Sequence, residues 1–123
     1  MFGSLYIRVK DSPGLETFSK KIFALMNVEI KETRYSDNAP GGRYIYGEVL
    51  GLRVTLTEAD AVDFPDYHFL LDFRPLIGWP TANLDGLADI LARFLARNDM
   101  EIARALEDGK AGAARVEYNG EAP

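Results

Sequence analysis

The segment RYIYGEVLGLRVTLT, residues 43–57, contains two strand patterns in succession. Residues 43–49 are rich in aromatic and β-branched side chains, and residues 52–57 alternate between apolar and polar side chains. Between the two patterns, Gly51 permits a tight reversal of the chain. The segment therefore predicts an antiparallel hairpin, from which the rest of the fold can be built outward.

The residues before this hairpin predict a strand, a helix and a second strand. Residues 5–10 and residues 28–35 alternate between apolar and polar side chains, as half-buried strands do. Residues 11–14, Asp-Ser-Pro-Gly, are a helix-start signal, a capping side chain followed by proline. The apolar positions that follow this signal recur at helical spacing: Leu15, Phe18, Ile22, Leu25 and Met26. Residues 36–42, SDNAPGG, predict an exposed turn.

The residues after the hairpin predict a further strand and two helices. Residues 58–66 are expected to form a loop, and residues 67–73 a strand with Tyr67, Phe69, Leu71 and Phe73 on one face. A second helix, capped by Asn83, has one apolar stripe: Leu84, Leu87, Leu91, Phe94 and Leu95. A third short helix is expected over residues 100–106, with Asp99 as its cap. Residues 114–118 fit a closing strand or an ordered tail.

The predicted order of elements is β-α-β-β-β-β-α-α. Helices at both ends of an antiparallel meander are typical of an α+β domain in which the helices pack on one face of the sheet. A single domain over residues 1–123 is expected, because the chain has the length of one ordinary domain and no linker divides it.

Composition excludes several classes of protein. The chain has no cysteine, which excludes disulfides and zinc–thiolate sites, and 14 Lys and Arg against 19 Asp and Glu give a net charge of −5. This net negative charge is the opposite of the net positive charge typical of a nucleic-acid-binding protein. No apolar run approaches the ~20 residues of a membrane span, and no secretory signal is visible at the start. A soluble cytoplasmic protein that binds neither membranes nor nucleic acid is expected.

Motifs for catalysis, metals or cofactors are missing from the sequence. His68 is the single histidine, so a paired-histidine metal site is excluded, and none of the serines lies in a nucleophile-elbow motif. The glycines match no phosphate-binding loop. The sequence therefore predicts no cofactor, no metal site and no enzyme, with His68 an ordinary strand residue.

Acidic side chains concentrate in the middle of the chain. Residues 35–73 carry two basic and seven acidic residues, a net charge of −5 that equals the charge of the whole chain. Within them, residues 58–72 contain five carboxylates and no Lys or Arg, without the ligand spacing of a calcium loop. This segment fits a solvated loop or an acidic patch that steers a basic protein partner, such as a nuclease, towards it. Nearby tyrosines fit either core packing or an interface.

The middle of the chain resembles a known class of proteins. Residues 32–38 (ETRYSDN), 41–47 (GGRYIYG), 51–54 (GLRV) and 64–69 (FPDYHF) carry the resemblance. They are similar to small immunity proteins encoded beside polymorphic bacterial toxins, including those of contact-dependent growth inhibition systems. The resemblance implies a cytoplasmic antitoxin, a monomer or weak dimer, that binds and neutralises the C-terminal domain of its cognate toxin. The candidate partner-binding residues are Asp37, Tyr44, Tyr46, Glu58, Asp60, Asp63, Asp66 and Tyr67.

Two alternative functions fit the same sequence. A small acidic secretion chaperone, which binds the N-terminal segment of an effector, also has an α+β fold of about this length and usually acts as a dimer. A small enzyme would use His68 with an acid such as Asp66 or Asp72. The immunity protein is the leading hypothesis because it needs a complementary surface and no catalytic group.

Overall fold

The computed structural model describes residues 3–11, 13–59, 66–76, 84–105 and 115–118. They form seven strands, two helices and a short 3-10 turn at Pro40–Gly42. The elements in chain order are β1 (Gly3–Arg8), α1 (Leu15–Leu25), β2 (Glu29–Tyr35), β3 (Arg43–Val49), β4 (Leu52–Glu58), β5 (Phe69–Pro75), α2 (Leu84–Ala96), β6 (Glu101–Ala105) and β7 (Arg115–Tyr118).

All seven strands belong to one antiparallel sheet in the order β2-β3-β4-β5-β1-β6-β7. The predicted hairpin of β3 and β4 is confirmed. Leu50 and Gly51 both have positive φ values, 51° and 75°, as a two-residue turn that matches the twist of its strands requires. β1 is inserted between β5 and β6, so the first strand of the chain lies near the middle of the sheet.

Both helices pack on one face of the sheet, as predicted. α1 contacts β2, β3 and β4, whereas α2 contacts β1, β6 and β7. The apolar side chains of the helices and of the strand face beneath them form one core cluster. Phe18 of α1 stacks on Phe69 of β5 with ring centroids 4.3 Å apart. The α+β class with an antiparallel sheet is therefore confirmed.

The predicted third helix is wrong. Residues 101–105 form β6, which pairs with β1 on one side and β7 on the other. Asp99 does not cap a helix but takes a positive φ of 64°, which turns the chain from α2 into β6. Ile102 and Ala103 are both fully buried, on opposite faces of the strand. A segment this short fits a strand or a helix by its sequence alone, and its pairing with the available edge of β1 makes it a strand. Residues 115–118 form the closing strand.

The start of β5 also differs from the prediction. The strand begins at Phe69, and before it the backbone N–H of His68 donates to the carbonyl oxygen of Ile7. Tyr67 packs with Ala103 and Tyr6, on the face opposite Phe69. The expected common face of Tyr67 and Phe69 is therefore wrong, because regular alternation does not extend past the first residue of the strand.

α1 begins at Leu15, directly after the predicted start signal, but the predicted capping side chain is wrong. Gly14 occupies the cap position, without a hydrogen bond from a side chain. The predicted cap of α2, Asn83, lies outside the described residues. Neither helix is long and apolar enough to cross a membrane.

Candidate interaction surface

The sheet has a face opposite the two helices, which we call the open face. The register across the strands brings polar and aromatic side chains together on it. Its residues on the five strands from β2 to β1 are Glu29, Glu32, Arg34, Tyr44, Tyr46, Glu48, Arg53, Thr55, Thr57, Leu70, Asp72, Arg74, Ser4, Tyr6 and Arg8. Such a mixture of tyrosine and arginine is typical of the centres of protein interfaces.

Tyr46 lies at the middle of a polar cluster on the open face. The guanidinium carbons of Arg34 and Arg53 lie 4.9 Å and 4.0 Å from the centroid of its ring. Its hydroxyl donates to Glu32 Oε1 at 3.0 Å, and Arg34 Nε donates to the same oxygen. A tyrosine ring with a cation near it on two sides is held in place before any partner arrives.

The hydrogen bonds of this cluster also shift its titration. The Arg34 guanidinium, followed by the Tyr46 hydroxyl, lowers the pKa of Glu32 below its ordinary value. The same bond from Tyr46 to Glu32 raises the pKa of the tyrosine. Glu32 is therefore ionised and Tyr46 neutral at physiological pH, and the cluster presents a fixed arrangement of charges.

Three of the predicted acidic residues lie at one end of the sheet, which we call the acidic end. Asp37 lies in the exposed turn after β2, Glu58 is the last residue of β4, and Asp66 precedes β5. Antiparallel pairing brings these chain segments to the same end. Asp66 is 71% exposed, and its Oδ2 lies 3.9 Å from Arg8 Nη1. The two other acidic candidates, Asp60 and Asp63, lie outside the described residues.

The three predicted tyrosines have different positions. Tyr44 and Tyr46 are neighbours on the open face, with ring centroids 6.4 Å apart. Tyr67 is only 4% exposed and lies beneath the guanidinium of Arg8, 5.0 Å away. This burial removes the side chain of Tyr67 from the candidate surface and is a correction to its predicted role.

A groove of about 870 Å³ opens at the acidic end. Charged side chains of both signs line it, among them Arg8, Lys10, Asp11, Asp99 and Glu101, together with His68. The hydrogen bond from Arg8 to Glu101 raises the pKa of the guanidinium. Apolar side chains also line the groove, among them Val9, Phe18 and Met100, so it is mixed in character, and its charges are partly paired.

His68 is exposed at the edge of this groove. Within the described ranges, no carboxylate oxygen lies within 4.0 Å of its ring nitrogens. The same residues contain no group of three side chains that could hold a metal ion.

The sequence reasoning missed the arginines of the open face. Arg53 and Arg74 occupy polar positions in the alternation of β4 and β5, and Arg34 does so in β2. That alternation was a usable signal, because it marks side chains that the core does not need. Their clustering depends on strand order and register, which an isolated strand pattern does not contain.

Comparison of the chain with protein-family models, with curated proteins and with solved structures found no match. Its function is therefore inferred from the surface itself and from the sequence resemblance.

Proposed function

We propose that this protein is an immunity protein, which binds a cognate toxin domain through the open face and the acidic end and thereby neutralises it. The observation that carries the proposal is Tyr46, held between Arg34 and Arg53 on a sheet face that neither helix covers. A standard interface buries about 800 Å² on each partner. The open face, which spans five neighbouring strands of six or seven residues each, can supply such an area.

The acidic end supports a basic partner. Asp37 and Asp66 are exposed there, and Glu58 lies beside the turn that contains Gly41. Charges of one sign at the rim of an interface accelerate association with a partner of opposite sign, an effect that salt screens. A toxin domain that binds nucleic acid through a cationic cleft is the partner that this charge favours.

The alternatives receive less support from the same residues. A chaperone for an unfolded effector segment needs an apolar groove, whereas charged side chains of both signs lie among the apolar ones in the groove at the acidic end. An enzyme needs a polarised His68, and its ring has no carboxylate partner within the described ranges. We extend the proposal to a cytoplasmic location, where an antitoxin protects the cell that makes it.

The proposal is tested with the C-terminal domain of the secreted protein encoded immediately upstream. Co-expression should protect cells from that domain, and the purified proteins should form a tight complex. The variant Tyr46→Ala should weaken the complex by about 2 kcal/mol or more, as removal of an interface anchor does. Tyr35→Ala is the matched control, because Tyr35 is 78% exposed but lies on the helix side of β2.

Charge steering is tested separately. Removing both charges in Asp37→Asn/Asp66→Asn should slow association at low salt and leave it unchanged at high salt. Glu29→Gln/Glu48→Gln removes the same charge at the opposite end of the sheet and should slow association less. Protection that survives Tyr46→Ala, or an upstream domain that neither binds nor harms cells, contradicts the proposal. Loss of protection in a folded His68→Ala variant favours an enzyme.

A further inference from the structure

Two arginines face each other directly on the open face, at the end of the sheet away from the acidic end. Arg53 of β4 is the register partner of Arg74 of β5. Side chains directly opposite each other in an antiparallel pair have Cβ atoms about 4.5–5.5 Å apart, and like charges at such positions destabilise a sheet. The Arg53–Arg74 pair itself therefore does not stabilise the sheet, although Arg53 also has Glu48 of β3 as a register partner.

Within the part of the chain that the structure describes, no carboxylate oxygen lies within 4.0 Å of a guanidinium nitrogen of either arginine, although Glu48 of β3 is the register partner of Arg53. Arg53 lies over the ring of Tyr46, and Arg74 is exposed without an ion pair or a side-chain hydrogen bond among these residues. Other arginines of the same protein do have carboxylate partners: Arg8, Arg34, Arg43 and Arg93. The Arg53–Arg74 pair thus differs from these four arginines.

The two side chains border a cavity of about 260 Å³ on the open face. Tyr44 and Thr55 add hydroxyl groups to its lining, and Asp72 adds a carboxylate. Oδ1 of Asp72 accepts a hydrogen bond from Ser4 Oγ at 2.6 Å, which directs that oxygen towards β1. The cavity therefore offers two cationic donors beside one carboxylate that is already engaged.

The charge of the cavity selects its ligand. Among the residues that line the cavity, Arg53, Arg74 and Asp72 sum to one positive charge, which one negative charge neutralises. A guanidinium binds a carboxylate through two parallel hydrogen bonds, so two of them can hold one carboxylate firmly. A dianionic phosphate would instead leave excess negative charge beside Asp72.

We propose that Arg53 and Arg74 form a carboxylate-binding subsite, filled in the complex by an Asp or Glu side chain of the partner protein. That the carboxylate comes from a partner rests on the proposed function, whereas the subsite itself does not. The partner surface then carries a carboxylate opposite this cavity and cationic groups opposite the acidic end. Such a pattern fixes the orientation of the complex as well as its affinity.

The subsite is tested on the free protein with N-acetylglutamate α-amide, a probe with one carboxylate. In an NMR titration, we expect the Nε–Hε signals of Arg53 and Arg74 to shift and saturate. The signal of Arg97, an exposed arginine near the end of α2, should not shift. Arg74→Gln should weaken binding by about tenfold or more, and Arg74→Lys, which keeps the charge but loses the planar fork, by less.

Three results would overturn the subsite. The signals of Arg53 and Arg74 could move no more than that of Arg97, or inorganic phosphate could bind more tightly than the carboxylate probe. A thermal midpoint for Arg74→Gln more than about 5 °C below that of the wild type would mean that contacts within the fold hold Arg74. Saturable binding without protection from the toxin domain refutes the proposed function and leaves the subsite standing.

Discussion

The two faces of the sheet hold their side chains in different ways. On the covered face, residues such as Leu5, Val54 and Leu71 are completely buried beneath the helices. On the open face, the same strands carry tyrosine, threonine and arginine side chains that are mostly half-buried, with two guanidinium groups in contact with the ring of Tyr46. Packing of the core accounts for the side chains of the covered face but not for those of the open face. The comparison teaches that the open face is where the residues not required by folding are concentrated.

The largest expected effect is on the covered face. Phe18→Ala removes a ring that is 1% exposed and stacked on Phe69. We expect the free energy of unfolding to fall by about 3–5 kcal/mol, because the deletion leaves a cavity in the core. Urea unfolding followed by circular dichroism measures the loss. A decrease below about 1 kcal/mol would mean that α1 does not depend on this contact.

A substitution at Gly47 of β3 tests how closely the edge strand β2 packs against β3. A methyl group at Gly47 of β3 would lie 2.2 Å from the carbonyl oxygen of Glu29, so Gly47→Ala must displace β2. A loss of about 1–3 kcal/mol is expected, with faster hydrogen exchange in β2. Gly86→Ala on the exposed side of α2 meets no atom and should stabilise the protein by about 0.5–1 kcal/mol. Equal effects of the two changes would contradict this assignment.

Removal of an aromatic ring from the open face should have much less effect on folding. Tyr46→Ala loses its contacts with the two arginines and Glu32, all near solvent. The expected decrease in the free energy of unfolding is about 1 kcal/mol or less. Measured beside Phe18→Ala under the same conditions, this variant separates the binding role of the open face from the stabilising role of the covered one. A loss as large as that of Phe18→Ala would erase the distinction.

The smallest expected effects concern the dependence of stability on pH. They involve two carboxylates, Asp89 of α2 on the covered side of the sheet and Glu32 on the open face. The hydroxyl of Tyr118 donates to Asp89 Oδ1 at 2.8 Å and lowers the pKa of that carboxyl, as Arg34 lowers the pKa of Glu32. Because these folded-state pKa values are lowered, the stability they contribute is present above the ordinary carboxyl pKa of about 4 and is lost as the pH falls through the lowered values.

NMR titration of the side-chain carboxyl carbons measures both groups. Tyr118→Phe should return the pKa of Asp89 towards its ordinary value and leave that of Glu32 unchanged. Tyr46→Phe should raise the pKa of Glu32 and leave that of Asp89 unchanged. An ordinary midpoint for Asp89 in the wild-type protein would contradict its hydrogen bond with Tyr118.

Much of the fold follows from local patterns. The alternation in residues 52–57 and the helical spacing from Leu15 onward each identify a buried face without knowledge of the rest of the chain. The short run that contains Ile102 has no such period, and its identity as β6 depends on β1, almost a hundred residues earlier. A residue pattern of five positions does not encode a pairing at that distance.

The candidate surface was less accessible to sequence reasoning. The positions of Tyr44 and Tyr46 on an exposed face follow from alternation against Ile45, but the burial of Tyr67 does not, because it precedes its strand. The proximity of Arg53 and Arg74 needs the register of β4 and β5. Charge composition identified the acidic segment and overlooked this pair of neighbouring arginines.

The outermost strand of the sheet has a consequence for behaviour at high concentration. The register of β2 against β3 shifts between Ile30 and Glu32, so Lys31 interrupts the ladder in the middle of the edge. An irregular edge with charged side chains is a poor template for a strand from another molecule, and β7 at the opposite border is only four residues long. The sheet should therefore resist growth into fibrils, and concentrated samples should stay clear.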